Sequence, residues 1–226
     1  IRFVMDALMK GGIPFHMKDA IPNLFSHWIS LDIIAYLRLV SGTGNTRANW
    51  LRIMNRPNRY IKREALAPFT SDISVAQLKA YYQDKDWMLE RLDRLEYDLS
   101  IMKRMSPYAA IHYLSNAMKY QDYLKDYAKE HHINEQELLD VLNAVHESSQ
   151  SCRTFAEWFA YIDTYTEELQ KQAKSPASKD ANNESGVCLC TLHCAKGLEY
   201  PIVFIPDINE DNIPHARAAV DADLEE

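Results

Sequence analysis

Apolar positions recur at three- and four-residue spacing along most of the chain, the period of helices with one buried face. The pattern predicts a short helix over residues 2–10, where Phe3, Val4, Ala7 and Leu8 share a face and Gly11-Gly12 stand where a C-terminal cap belongs. An extended stretch from Ile13 to Met17 follows. From about Leu24 the pattern is helical through Leu31, Ile34, Ala35, Leu37 and Leu39, as far as the turn cluster Ser41-Gly42-Thr43-Gly44-Asn45. Arg47 to Asn55 reads as another helix. Pro57 then bends the chain, a further helix resumes at about Lys62, and one more begins at Ser74. Met88, Leu92, Leu95, Leu99 and Met102 line one side of a long helix, a run too short for a coiled coil and suited to a packed core.

Ser106-Pro107 opens the next helix, and Tyr120 to Lys129 forms another. Asn134 with Glu137, and Thr154 with Glu157, have the spacing of capping boxes ahead of apolar runs. Gln172 to Gly186 lacks any large apolar residue and reads as a polar linker. Beyond it the character changes. Val187 to Leu192 reads as a strand, Ala195 to Glu199 as one helical turn, and Ile202 to Ile205 as a short buried strand of the parallel type. The fold class expected is mainly α, with α/β pieces at both ends of the chain and no internal repeat.

Composition narrows the function. The 226 residues carry a net charge of −7, which opposes simple non-specific binding to nucleic acid. The charge is unevenly spread: residues 1–105 sum to +5 and residues 106–226 to −12. Arg47, Arg52, Arg56, Arg59, Lys62 and Arg63 fall in one stretch without a carboxylate, so an anion site is expected there, against the plainer reading of a solvated basic face. No apolar run approaches the roughly 20 residues of a membrane span, and Ile1 to Lys10 lack the features of a signal peptide, so a cytoplasmic location is the expectation. None of the six glycines stands in a phosphate-cradling frame. Cys188, Cys190 and Cys194 lack a fourth ligand spaced for zinc, so no metal is expected, and His131-His132 read as a solvated helix end.

The run Thr191-Leu-His-Cys-Ala-Lys-Gly-Leu-Glu-Tyr-Pro-Ile-Val-Phe204 resembles motif V of the UvrD/PcrA/Rep helicases of superfamily 1. Gly12-Ile-Pro-Phe15, Ile34-Ala-Tyr-Leu-Arg-Leu39 and Ile53-Met-Asn-Arg-Pro-Asn-Arg59 are similar, in the same order, to further stretches of that family. Ile213-Pro214-His215 and the acidic Asp221 to Glu226 resemble the approach to motif VI. The resemblance implies an ATP-dependent translocase moving 3′ to 5′ on single-stranded DNA, with ATP and Mg²⁺ as cofactors of the full-length protein. Residues 1–40 and 187–226 would be parts of the second RecA-like domain, and residues 41–186 a helical insertion domain of the 2B type. The Walker lysine and motif VI would lie outside this chain, so the fragment alone is expected to be inactive.

The same resemblance assigns Thr191 and His193 to single-stranded DNA, Lys196, Gly197 and Glu199 to the nucleotide, and Arg56, Arg59, Lys62 and Arg63 to duplex DNA. Read in isolation, Thr191 and His193 are turn caps, and Lys196 and Glu199 an ordinary exposed pair. The sequence departs from its relatives at Tyr60-Ile61-Lys62, where they carry Gly-Ile-Gly, and the larger side chains block close approach of phosphate to the backbone. It departs again at Lys18-Asp19, in place of Gly-Gly, and at Asp211. Implied partners are single-stranded and duplex DNA, the motor domains that would precede this chain, and repair or replication proteins, with no membrane. Two alternatives stay open: a helicase subunit of an AddA/RecB-type helicase-nuclease, and a non-enzymatic regulatory or protein-interaction module, favoured by the acidic second half.

Overall fold

A computed structural model of the chain describes residues 2–18, 22–174 and 186–206. The described chain is mainly helical. It forms two compact units, one from residues 1–21 and 171–226, the other from residues 22–170. The Ile213-Pro214-His215 stretch, Asp19, Asp211, the acidic end and most of the polar linker lie outside the described residues.

In the first unit, α1 (Arg2–Lys10) is closed by Gly12 at φ 63, and the amide of Ile13 donates to the Leu8 carbonyl. β1 (Phe15–Met17) pairs in parallel with β2 (Val187–Leu189), with Phe15 opposite Val187. Gly186 is required at that junction: its φ is +136, and an added Cβ would stand 2.5 Å from the Pro14 carbonyl oxygen. Both strands are shorter than the sequence predicts. Ile202 to Ile205 is not a buried strand. Ile202 is 74% and Phe204 88% exposed, because no third strand among the described residues offers this segment a ladder.

The second unit is a helical array: α2 (Trp28–Ser41), α3 (Arg47–Ile53), α4 (Val75–Tyr81), α5 (Asp86–Met102), α6 (Pro107–Asn116), α7 (Tyr120–His131), α8 (Glu135–Ser148) and the body of α9 (Phe155–Lys174). Helix α2 is central, with nine of its 14 residues buried. By packing, α2 falls within the unit of residues 22–170. Its start is later than expected. Leu24–Ser26 forms a separate 3₁₀ turn, and the His27 ring caps α2 by accepting from the Ile29 amide. At the far side Phe25 meets Trp158 and Tyr165 edge-on at 6.2 and 5.4 Å, and the Trp158 indole donates to Ser148.

Capping follows the sequence in part. Ser74 and Gln77 close a full capping box on α4. Asn134 caps α8 by accepting from Gln136 rather than through a box with Glu137, whereas Thr154 caps α9 as expected, its hydroxyl accepting from the Glu157 amide at 3.2 Å while the Glu157 carboxylate accepts from the Arg153 amide. The helix expected from Lys62 is reduced to one 3₁₀ turn, Arg63–Leu66, because Pro68 bars its continuation.

One polar cluster lies inside the array. Asp32, on the buried face of α2, is 0% exposed. Arg56 spans its two oxygens at 2.8 and 3.0 Å, Arg52 donates at 3.0 Å, and the buried Tyr120 hydroxyl donates at 2.9 Å. Burial pushes the Asp32 carboxyl above its ordinary range, against the pull of both guanidiniums and the hydroxyl. Burial, with the charge of Asp32 added, likewise holds Tyr120 well above its usual value, so the hydroxyl stays a donor. Replacing Asp32 with Ala strands these donors, and the expected loss is on the order of 3 kcal/mol of stability, read from urea unfolding midpoints.

Two imidazoles set a pH response. Burial lowers His27, with Asp32 opposing, and burial lowers His146, whose ring stacks on Tyr108 at 3.9 Å and bonds its carbonyl. A histidine held below its unfolded value of about 6.5 binds fewer protons when folded, so its stabilisation is intact above that pH and declines as pH falls through it. The unfolding midpoint should therefore drop between about pH 7 and pH 5, and the His27→Asn, His146→Gln double variant should show a smaller drop.

Candidate functional site

The first candidate locus follows β2. Thr191 ends the extended segment, and its Oγ1 accepts from the Cys194 amide at 3.2 Å, capping the single turn α10 (Leu192–Ala195). This cap places the helical turn at 192–195 rather than at the expected 195–199. Gly197, at φ +80 with open space around its Cα, turns the chain out of α10, and the Leu198 amide donates to the Ala195 carbonyl at 2.9 Å. Thr191, His193, Lys196, Gly197 and Glu199 are all exposed on this one short loop.

Beneath it the Lys18 amide donates to the Leu189 carbonyl at 3.1 Å, extending the parallel ladder by one residue. The Lys18 ammonium lies 5.5 Å from the centre of the Tyr200 ring, and its hydrogen bond with the Tyr200 hydroxyl holds it above the usual lysine range. The Cys188 sulfur is 3.7 Å from that same hydroxyl. Among the described residues no group of three His, Cys, Asp or Glu side chains is gathered to hold a metal ion.

The second locus is the basic run, and here the predicted residues divide. Arg56 is committed to Asp32. Arg59 is turned inward: its Nη1 donates to the Tyr36 hydroxyl at 2.8 Å and to the Ile53 carbonyl at 3.1 Å, while Tyr36 donates to the Arg56 carbonyl at 2.7 Å. Lys62 and Arg63 are exposed. The intervening backbone is occupied as well. Asn55 Oδ1 accepts from the amides of Arg59 and Ile61, Asn58 Oδ1 from Tyr60, and the Tyr82 hydroxyl from Lys62. Tyr60 takes φ 60, the left-handed backbone that a glycine adopts without cost. The conformation expected of a glycine turn is present, but its amides already have partners.

Sequence reading missed Asp32 as the anchor of this turn. The signal was present: one carboxylate inside the apolar run Trp28 to Val40, with a carboxylate-free cluster of arginines close behind it. It also missed the meeting of Tyr60 with Trp87 and Arg91, a pair four residues apart on α5 that Tyr60 reaches from a distant segment.

Comparison with known proteins gives a consistent result. A family model described as the UvrD-like helicase C-terminal domain matches residues 1–226. The putative ATP-dependent DNA helicase YjcD of Bacillus subtilis (strain 168) is 25% identical over 237 residues, covering 100% of this chain and 30% of the relative. The ATP-dependent DNA helicase PcrA of the same strain is 25% identical over 244 residues, covering 100% of this chain and 32% of the relative. PcrA of Staphylococcus epidermidis (strain ATCC 12228 / FDA PCI 1200) is 25% identical over 235 residues, covering 96% of this chain and 30% of the relative. The chain thus spans about a third of the length of these curated relatives.

Proposed function

The chain belongs to the UvrD-like helicase C-terminal domain family, and from that premise we propose that it is part of an ATP-dependent DNA helicase that translocates 3′ to 5′. The observation that carries this reading is the loop leaving the carboxyl end of β2, which presents Thr191, His193, Lys196 and Glu199 together to solvent. In parallel α/β sheets ligands bind beyond the carboxyl ends of the strands. Lys196 offers a compact positive charge to a phosphate and Glu199 an acceptor to a ribose hydroxyl, with Gly197 letting the backbone turn between them. Thr191 and His193 supply the donors for a single strand. The coupling proposed is mechanical, since a shift of α10 driven from the nucleotide side moves the strand-gripping residues with it.

ATP would supply the driving reaction, with Mg²⁺ on its phosphates. This chain fits one flank of such a nucleotide: Lys196 is an exposed donor and Glu199 an exposed acceptor, and no glycine-rich cradle accompanies them in the sequence. The remaining binding groups would come from other motor domains. In this reading residues 1–40 and 187–226 belong to the second RecA-like domain, and residues 41–186 form the 2B-like insertion, with the packing of α2 arguing for an earlier start of the helical body. The exposed apolar Ile202 to Ile205 segment supports the assignment of an incomplete lobe, since it has the composition of a buried parallel strand.

On the insertion, Lys62 and Arg63 are the proposed duplex contacts. Arg56 and Arg59, held by Asp32 and Tyr36, shape the turn that carries them. Phosphate recognition falls to side chains here, because the turn amides are already bonded.

Purified as it stands, this chain should show no DNA-stimulated ATP turnover. In the full-length protein Lys196→Ala should lower that turnover about tenfold, the cost of one lost charge-assisted contact, while Thr191→Ala should raise the single-strand concentration needed for half-stimulation. Unchanged kinetics in both variants would overturn the coupling assignment. Charge reversal of Lys62 and Arg63 to Glu should weaken hairpin DNA binding and flatten its salt dependence, by a slope of about 1 per lost phosphate contact. A wild-type chain that binds no hairpin at low salt would favour a protein-interaction module instead.

A further inference from the structure

Beside the basic turn, α5 carries an exposed aromatic surface that the duplex assignment does not use. The Arg91 guanidinium lies between two rings, 4.9 Å from the centre of Tyr60 and 5.0 Å from that of Trp87. Tyr60 is 59% and Trp87 49% exposed, so the outer faces of this stack remain open to solvent. One helical turn on, Arg94 lies 5.8 Å from the centre of the Tyr97 ring, which is exposed in turn. Trp87, Arg91 and Arg94 follow one side of α5 at four- and three-residue spacing.

Of the α5 carboxylates, Asp93 and Glu96 are held by Lys79 from α4, and Asp98 by Arg94 and the Tyr113 hydroxyl, leaving Asp86 and Glu90. Arg91 makes no ion pair with any described residue. Lys62 and Arg63 stand two and three residues beyond Tyr60 and are exposed. Large aromatic rings left together in water, as Trp87 and Tyr60 are, mark an interaction surface. Two exposed rings packed against the unpaired Arg91 guanidinium, with exposed Lys62 and Arg63 close in the chain, match a ligand that has both flat π-faces and negative charge.

We propose that the Tyr60–Arg91–Trp87 stack binds the unpaired bases of single-stranded DNA, with Lys62 and Arg63 holding the phosphates beside it. Bases stack on exposed aromatic rings with little sequence preference, and a guanidinium packed against both rings holds them in place, leaving their outer faces to receive a base. This rests on the DNA-acting reading above and goes beyond it, since it assigns the insertion domain a grip on unpaired bases rather than on duplex phosphates alone. Tyr60 takes the left-handed backbone of a glycine position, and its ring occupies the surface that a glycine would leave bare.

The test titrates the whole chain with two labelled hairpins, one blunt and one carrying an oligo-thymidine tail, each at two salt concentrations. Trp87→Ala and Tyr60→Gly should each weaken binding of the tailed hairpin at least about fivefold and alter the blunt hairpin less than about twofold. Arg91→Lys, which keeps the charge and loses the planar stack, should behave like Trp87→Ala, while Trp87→Tyr should restore most of the affinity. A tail substituted with 5-iodouracil should photocrosslink to Trp87 or Tyr60. Equal losses on both hairpins, or no loss on either, with wild-type binding intact, would overturn the stacking site and leave the DNA reading standing. Failure of the wild-type chain to bind either hairpin would overturn both.

Discussion

A single carboxylate, buried where α2 crosses the helical body, organises the part of the chain that carries its positive charge. Asp32 has no solvent access, and a carboxylate in that position survives only when donors surround it. Arg52 and Arg56 arrive from α3 and the turn after it, and Tyr120 from α7, so one ion site ties three segments far apart in sequence. The arginines keep part of their side chains in water, which lowers their desolvation cost and lets the cluster act as a clasp at the edge of the core.

That clasp decides which basic residues are available for other work. With Arg56 spent on Asp32 and Arg59 on Tyr36 and the Ile53 carbonyl, the turn is rigidly specified, and its amides are satisfied by Asn55, Asn58 and Tyr82. What remains on the outside is Lys62, Arg63 and the aromatic stack across to α5. With its amides bonded, the turn offers side chains rather than bare backbone to solvent, which is the physical consequence of placing Tyr60 and Lys62 there.

The unit formed by the chain ends follows a different logic. Among its described residues the two parallel strands are three residues each, and Ile202 to Ile205 is left in solvent. The turn between Thr191 and Gly197 is nonetheless well determined locally, by a hydroxyl cap at one end and a left-handed glycine at the other. A loop built this way keeps its shape without a large core beneath it.

Helix positions were legible in the residues alone, because period and capping are local: Ser74 with Gln77, Pro107 at a helix start, and Gly42 and Gly12 at helix ends all act within a few residues. In the run from Thr191 to Glu199 a strand followed by a single helical turn was legible, though the Thr191 cap sets that turn at 192–195. The extent of the strands was not, since a strand needs a partner that sequence spacing does not supply, and Ile202 to Ile205 shows composition without pairing. Nor did the sequence decide the fate of the arginines. Arg56, Arg59, Lys62 and Arg63 are alike in composition, and only the fold, by bringing Asp32 and Tyr36 under two of them, sorted buried clasp from exposed contact. In the Tyr60–Arg91–Trp87 stack the Trp87–Arg91 pair is local, four residues apart on α5, but its meeting with Tyr60 belongs to tertiary structure, because Tyr60 comes from a separate segment and no local pattern encodes that contact.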